Sequence, residues 1–253
     1  MFKNKALVLF CYKINIDIIN YYVSLNSNQY DIMVVSPEIE KGLEKKFKNV
    51  IFYRDDFFLK NQESIKLTHR PNWYYQQFLK YSIVLKLPHD CIHIVDGDSV
   101  LDEKYFFYKD FHYSSIKPDP KYQKFTNIFS KQLESRKNYI VNHMVFEKKL
   151  LLKLLNHLEV NEFNFVDKFC SYLISGNSWF SEYQNYAMYV LKFDEERKSI
   201  KTKVFRRFDL IKSSDFKRGL EKYSLISLEE SHNTGILRRL RAIFFYFLGI
   251  NLG

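Results

Sequence analysis

Cysteine is scarce in this chain. The three present, Cys11, Cys91 and Cys170, are odd in number and far apart, and no CxxC pair occurs. That arithmetic excludes a disulfide framework and makes a reducing compartment the expectation. Cys11 and Cys91 stand inside apolar runs, where a thiol behaves as a small hydrophobe. Long apolar segments are also missing, since nothing approaches the ~20 residues that a membrane-spanning helix needs. The opening "MFKNKALVLFCYK" sets two lysines ahead of a short apolar run, as a signal peptide would. Lys13 interrupts it and no small-residue cleavage site follows, so it reads as a first strand. Internal repeats and low-complexity tracts are absent, and no linker divides the 253 residues into two folding units.

What is present is a globular composition, 46% hydrophobic and 18% aromatic, which excludes a disordered chain. Lys and Arg number 39 against 29 Asp and Glu, a formal charge of +10. Such a balance attracts nucleic acid, anionic lipid or phosphorylated substrates. The heavy use of Lys, Asn, Ile, Phe and Tyr is also what an AT-rich genome encodes, so the bulk charge selects no partner by itself. No RNA- or DNA-reading motif accompanies it, and nucleic acid is not an expected partner.

Short apolar runs alternate with longer mixed segments. Strands are predicted at 5–12, 31–37, 49–56, 91–95, 138–147 and 223–230. Helical spacing covers 15–27, 72–87, 148–159 and 179–193, the last with Ser181 as N-cap and Glu182 in its first turn. Residues 114–124, with two prolines and several charges, read as a loop. The rhythm predicts an α/β domain with a largely parallel sheet flanked by helices, whose ligands bind at the carboxyl ends of the strands.

At one such end stands "CIHIVDGDSV" (91–100), an apolar strand running into Asp96-Gly97-Asp98. Three chemistries fit it. The two carboxylates can hold a divalent cation, Mn²⁺ or Mg²⁺, that bridges the phosphates of a nucleoside diphosphate. In a phosphatase of the haloacid-dehalogenase type, Asp96 would be the nucleophile and Asp98 the general acid. That motif normally sits on the first strand, however, and about ninety residues precede this one. Or the pair is an ordinary polar turn. Gly97 removes side-chain bulk between the carboxylates, letting backbone approach a ligand.

On the helix 72–87, Trp73, Gln76, Gln77 and Lys80 share a face. Two amides and an ammonium beside an indole suit a cleft wall that meets sugar hydroxyls and phosphate, or a solvated stripe next to a packed Trp. Glu182 at a helix start is favoured by the helix dipole. It is also placed to take the proton of an acceptor hydroxyl.

The motifs "WYYQQFLK", Asp96-Gly97-Asp98, "NHMVFEK" and "SEYQNYAMYV" occur in order. In this the chain resembles a group of bacterial GT-A-type glycosyltransferase-like proteins, over roughly residues 5 to 232. The resemblance implies a GT-A-like fold and transfer from a nucleotide-sugar donor to a glycan or lipid-linked glycan acceptor. It places Asp96 and Asp98 at the metal, with His232 as a further ligand. Arg70, Trp73, Gln76, Gln77, Lys80, Asp96 and His143 would then contact the nucleotide sugar, and Glu182 would be the acceptor-side acid, either the catalytic base or a group that binds the acceptor without touching the proton. Asn72 stands where those sequences carry glycine, and Asn142 where they carry a first histidine.

Residues 233–253, "GILRRLRAIFFYFLGINLG" with its preceding turn, form a basic amphipathic tail that reads as a membrane-interface helix or as a helix docked on its own domain. The sequence thus divides into a GT-A-like domain, 1–232, and this tail. The expected location is cytoplasmic, peripheral on the inner face of a bacterial membrane. The acceptor would be surface polysaccharide or lipopolysaccharide. A non-catalytic basic peripheral-membrane protein is the remaining alternative.

Overall fold

The computed structural model describes residues 3–25, 28–60, 62–129 and 136–202, and beyond them 204–206, 216, 219–221 and 223–228. In the first half, β1 (Lys5–Phe10), α1 (Ile16–Leu25), β2 (Asp31–Ser36), α2 (Leu43–Lys46), β3 (Val50–Arg54), α3 (Glu63–Lys66), α4 (Pro71–Lys86) and β4 (Cys91–Asp96) follow in turn. Next come β5 (Ser99–Leu101), β6 (Phe111–Tyr113), α5 (Pro120–Phe129), β7 (His143–Glu147), α6 (Lys148–His157), α7 (Phe165–Leu173) and α8 (Glu182–Phe193). Three short strands follow: β8 (Ser199–Lys201), β9 (Val204–Arg206) and β10 (Leu225–Ser227).

The central sheet has the order β3-β2-β1-β4-β7. Its first four strands are parallel, and β7 runs antiparallel against β4. β1, β2 and β4 read as near-continuous apolar runs because helices cover both faces, as parallel sheets require. Alternate residues feed two cores. Ala6, Val8, Met33, Val35, Ile92 and Ile94 pack on one side with Phe78 of α4 and Tyr183 of α8. Leu7, Leu9, Ile32, Val34 and Val95 pack on the other with Ile18 and Tyr22 of α1. Both cores share one sheet, so the described residues form a single folding unit. Two smaller sheets, β5-β10-β9 and β6-β8, lie outside it.

Helix α4 positions the site. Pro71 occupies its first turn, where the missing N–H costs nothing. It ends at Leu87, whose extended ψ of 146° is what the following Pro88 demands. Most of its length is buried. Phe78 meets the rings of Phe165, Phe169 and Phe180 at centroid distances of 6.1, 6.3 and 5.2 Å. Each such pair adds about 0.5–1.5 kcal/mol beyond area burial.

Two local expectations change. The segment read as a loop, 114–124, contains the start of α5. Pro120 is its first residue and the Asp119 carboxylate caps it, accepting from the Lys121 N–H at 2.8 Å. The strand expected over 138–147 shortens to β7, because the chain turns at Asn142 (φ 62°) and Asn138 makes only an isolated bridge to Ser114. Among the described residues no helix is long and apolar enough to cross a membrane. His232 and the tail 233–253 lie outside the described residues.

Candidate active site

The sheet reverses its winding between β1 and β4, since β2 and β3 extend one way from β1 while β4 lies on the other side. Ligand crevices open at the carboxyl ends of strands flanking such a point. Phe10 and Asp96 pair in register at those two ends. Here a cleft of about 540 Å³ opens, lined by residues 10–15 after β1, by Asp96, Gly97 and Asp98 after β4, and by Gln76 and Leu228. A side pocket of about 130 Å³ shares Phe10, Cys11, Tyr12 and Gln76 and adds Tyr75, Asn72, Pro37 and Asp55.

The acidic turn is pinned on three sides. Asp96 N–H donates to the Asn142 carbonyl at 2.8 Å, Gly97 N–H to the Phe10 carbonyl at 2.6 Å, and Leu228 N–H to the Asp98 carbonyl at 2.6 Å. A Cβ on residue 97 would lie 2.5 Å from the Cys11 Cβ and 2.8 Å from its Cα. Glycine is therefore required because the β1 end packs against the turn. The approaching backbone expected at Gly97 is this protein's own. Asn142 adopts the left-handed conformation that asparagine tolerates. Its amide donates to the Ser99 and Ser227 hydroxyls at 3.3 and 3.2 Å, and Ser99 in turn donates to Asp98 Oδ1 at 3.0 Å.

Behind Asp96 lies a buried ion cluster. Lys80 Nζ sits 2.7 Å from Asp96 Oδ1 and 2.9 Å from Glu182 Oε1. It also lies 4.3 Å from the centroid of the Tyr183 ring, and the Tyr183 hydroxyl donates to the same Asp96 oxygen at 3.1 Å. Lys80 and Glu182 are buried, while the Asp96 side chain keeps 29% exposure toward the cleft. Burial alone would lower the proton affinity of Lys80, but Asp96 and Glu182 outweigh it and hold the ammonium charged well above its ordinary range. Burial raises the Glu182 carboxyl, and Lys80 offsets part of that rise. Glu182 Oε2 has no partner among the described residues. Cys11, also at the cleft, is pushed up to about 12 by burial and by the neighbouring Asp98 and Asp96 charges, which keeps its thiol protonated.

The structure brings together Gln76, Lys80, Asp96, Asp98 and Glu182, but it separates others. Gln77 is buried and does not line the cleft. Arg70 and Trp73 also lie off the cleft wall, where Arg70 stacks 4.6 Å over the Trp73 ring. His143 belongs to the opposite face of the sheet and is fully engaged there. The Phe107 N–H donates to His93 Nδ1 at 3.3 Å, His93 Nε2 meets His143 Nδ1 at 3.2 Å, and His143 Nε2 meets His112 Nδ1 at 3.0 Å. One backbone N–H thus fixes all three tautomers and leaves His112 Nε2–H without an acceptor among the described residues. Burial keeps the chain neutral, pushing His93 down to about 3 and His112 to about 4, with His143 well below its ordinary value.

Sequence reading missed residues 12–15, Asn142 and Tyr183. A positional signal existed for the first group, because a loop leaving the first strand of such a sheet borders the switch point. Tyr183 stood within the "SEYQNYAMYV" motif, but its contact with Asp96 depends on α8 crossing beside β4.

No protein-family model matches the chain, and no curated protein matches it. Solved structures do. The galactosyltransferase LgtC, in complex with donor and acceptor sugar analogues, aligns over 96% of this chain and 94% of its own, with a TM-score of 0.50 at 9% identity. The glycosyltransferase GlyE of Streptococcus pneumoniae TIGR4 aligns over 100% of this chain and 65% of its own, with a TM-score of 0.43 at 10% identity. Glucosyl-3-phosphoglycerate synthase of Mycobacterium tuberculosis aligns over 79% and 70%, with a TM-score of 0.40 at 8% identity. At such identities the likeness speaks to architecture, and the nearly complete mutual coverage with LgtC establishes that this chain has a GT-A-like α/β fold.

Proposed function

We propose that the chain is a glycosyltransferase that moves a sugar from a nucleotide-sugar donor to a glycan acceptor. The observation that carries this reading is the acidic tip of β4 at the switch-point cleft, where Asp96 and Asp98 both line a cavity of substrate size. Asp96 Oδ1 is taken by Lys80 and Tyr183, while Oδ2 has no partner among the described residues. Two carboxylates on one turn at the cleft suit a hard cation, Mn²⁺ or Mg²⁺. No third Asp, Glu, His or Cys completes the set among the described residues, and His232 lies outside them. When bound, such an ion would neutralise charge on the departing β-phosphate.

The chain's own residues divide the remaining work. Lys80 fixes the Asp96 side chain from the buried side through their ion pair. Gln76 offers its amide to sugar hydroxyls and Lys13 its ammonium to phosphate. Tyr12 and Tyr75 provide aromatic surface for a base at the side pocket. Glu182 acts first as a positioning residue, because it is fully buried behind Lys80. A second role, as the base toward an acceptor hydroxyl, is favoured by its unpartnered Oε2 and its raised proton affinity. In that role the reaction inverts the anomeric centre, and a retained product configuration by NMR excludes it. A surface-glycan acceptor at the inner face of the membrane, approached through the tail 233–253, is the setting we assign from the sequence.

Calorimetry tests the proposal. UDP, GDP, CDP and CMP are titrated with Mn²⁺ and again with EDTA, on wild type and Asp98→Ala. One nucleotide should bind with Mn²⁺, at least about tenfold more weakly without metal or in the variant. Binding of none overturns the reading. Metal-dependent phosphate release from a simple aryl phosphate would instead support Asp96 as a phosphatase nucleophile.

A further inference from the structure

Away from the cleft, both tryptophans of the chain enter one cluster. The Arg70 guanidinium is placed 4.6 Å from the Trp73 ring and 5.0 Å from the Trp179 ring. Lys121 stands 4.6 Å from the Trp179 ring. Tyr122 meets Trp179 edge-on at 5.6 Å, and His69 stacks on it at 6.4 Å. Two cations therefore converge on one indole. Neither Arg70 nor Lys121 has a carboxylate partner among the described residues. Both indole N–H groups are buried without an acceptor among the described residues as well. The cluster is rich in donors and positive charge and poor in acceptors, and a buried donor left without an acceptor is destabilising.

Its place in the fold is specific. Trp179 lies three residues before Glu182, and the intervening Ser181 caps α8, accepting from the Gln184 N–H at 3.4 Å. The Tyr122 hydroxyl is within electrostatic range of both Arg70 and Glu182. The cluster therefore lies off the wall of the nucleotide cleft and just before α8, the helix that begins at Glu182, and to this region we assign the acceptor of the proposed transfer.

We infer that Arg70, Lys121, Trp73 and Trp179 form an acceptor subsite for an anionic sugar, one carrying a carboxylate or phosphate group. Arg70 would pair with the anion in the forked geometry of guanidinium and oxyanion, its plane already ordered by the two indoles. Lys121 would supply the second charge. Neutral sugars gain less, because the indole faces they would stack on are occupied by the cations. This assignment moves Arg70 and Trp73 from the donor to the acceptor and deepens the glycosyltransferase reading.

Because the two tryptophans of the chain both lie here, intrinsic tryptophan fluorescence reports on this site alone. The full chain is titrated with a glucuronic-acid-containing tetrasaccharide, with glucose 6-phosphate, and with a neutral tetrasaccharide of glucose. The acidic probes should shift the emission saturably by millimolar concentration, and the neutral one should not. A response to the uronic probe alone assigns a carboxylate, and to the phosphate probe alone a phosphate. Arg70→Gln and Lys121→Gln, each with native near-UV circular dichroism, should weaken the acidic probe about tenfold. Asp98→Asn should leave this titration unchanged, so the result is independent of whether the cleft binds a nucleotide. Equal responses to acidic and neutral probes, or no response to any, would overturn the inference.

Discussion

Two polar clusters grow from opposite faces of β4, and they solve burial in opposite ways. Asp96 continues the face of Ile92 and Ile94, and joins Lys80, Glu182 and Tyr183. His93, on the other face, joins His143 and His112. The first cluster mixes signs, so each charge stabilises its neighbour and the Lys80 ammonium stays charged despite its burial. The second contains only imidazoles, so any proton would be repelled by its neighbours and penalised by burial, and the chain stays neutral. One cluster opens on a cleft and can meet a charged ligand. The other is a set of directed hydrogen bonds that pins β7 and β6 to the sheet. Similar burial thus yields a charged site in one case and a structural tie in the other, and the composition of the partners makes the difference.

The contrast can be broken most severely at Lys80. Lys80→Met leaves Glu182 buried beside no cation, and removal of one partner from such a cluster costs about 3–5 kcal/mol. Urea denaturation should show that loss. A change under 1 kcal/mol would mean that the cluster is not closed as described. Glu182→Gln is milder, since Lys80 keeps Asp96, and a lost charged hydrogen bond is worth about 1.5–3 kcal/mol. If Glu182 only positions Lys80, this variant should keep most of its turnover; if it is the base, turnover should fall about 10²–10⁴-fold.

The neutral chain is sharpened by pH. His93 and His112 fold with depressed proton affinity, near 3 and 4, against about 6.5 unfolded. The unfolded state binds more protons below 6.5, so the stabilisation is present above that pH and is lost as pH falls toward 4. Each histidine contributes a slope of at most about 1.4 kcal/mol per pH unit in that window. His112→Gln removes one titrating group, and its stability between pH 6.5 and 4 should decline less steeply than that of wild type. Parallel curves would show that His112 is not held neutral.

Much of the layout was legible in the sequence. The apolar runs of β1, β2 and β4 announced a buried parallel sheet, because only strands covered on both faces lack polar alternation. Proline at 71 and 88 framed α4, and Ser181 caps α8 as its position suggested. Prolines misled where they start a helix, as Pro120 does, since the same residue breaks and begins helices. At the site, the helical face through Trp73, Gln76, Gln77 and Lys80 was read as one cleft wall or one solvated stripe, yet these residues reach three surroundings. Helical spacing states which side chains are neighbours on a helix, and not what the rest of the protein places against them.

The sequence by itself determined the strand rhythm, the acidic turn at the end of the fourth strand and the glycine within it. Those follow from local periodicity and backbone sterics, which act over a few residues. Only the tertiary structure decided that Lys80, 16 residues before Asp96, and Glu182, 86 after it, share one buried charge cluster. It alone turned His143 away from the cleft and gathered both tryptophans around Arg70. Such pairings depend on which chain segments cross, and electrostatic energy in a low-dielectric interior is set by distances in space that no spacing along the chain encodes.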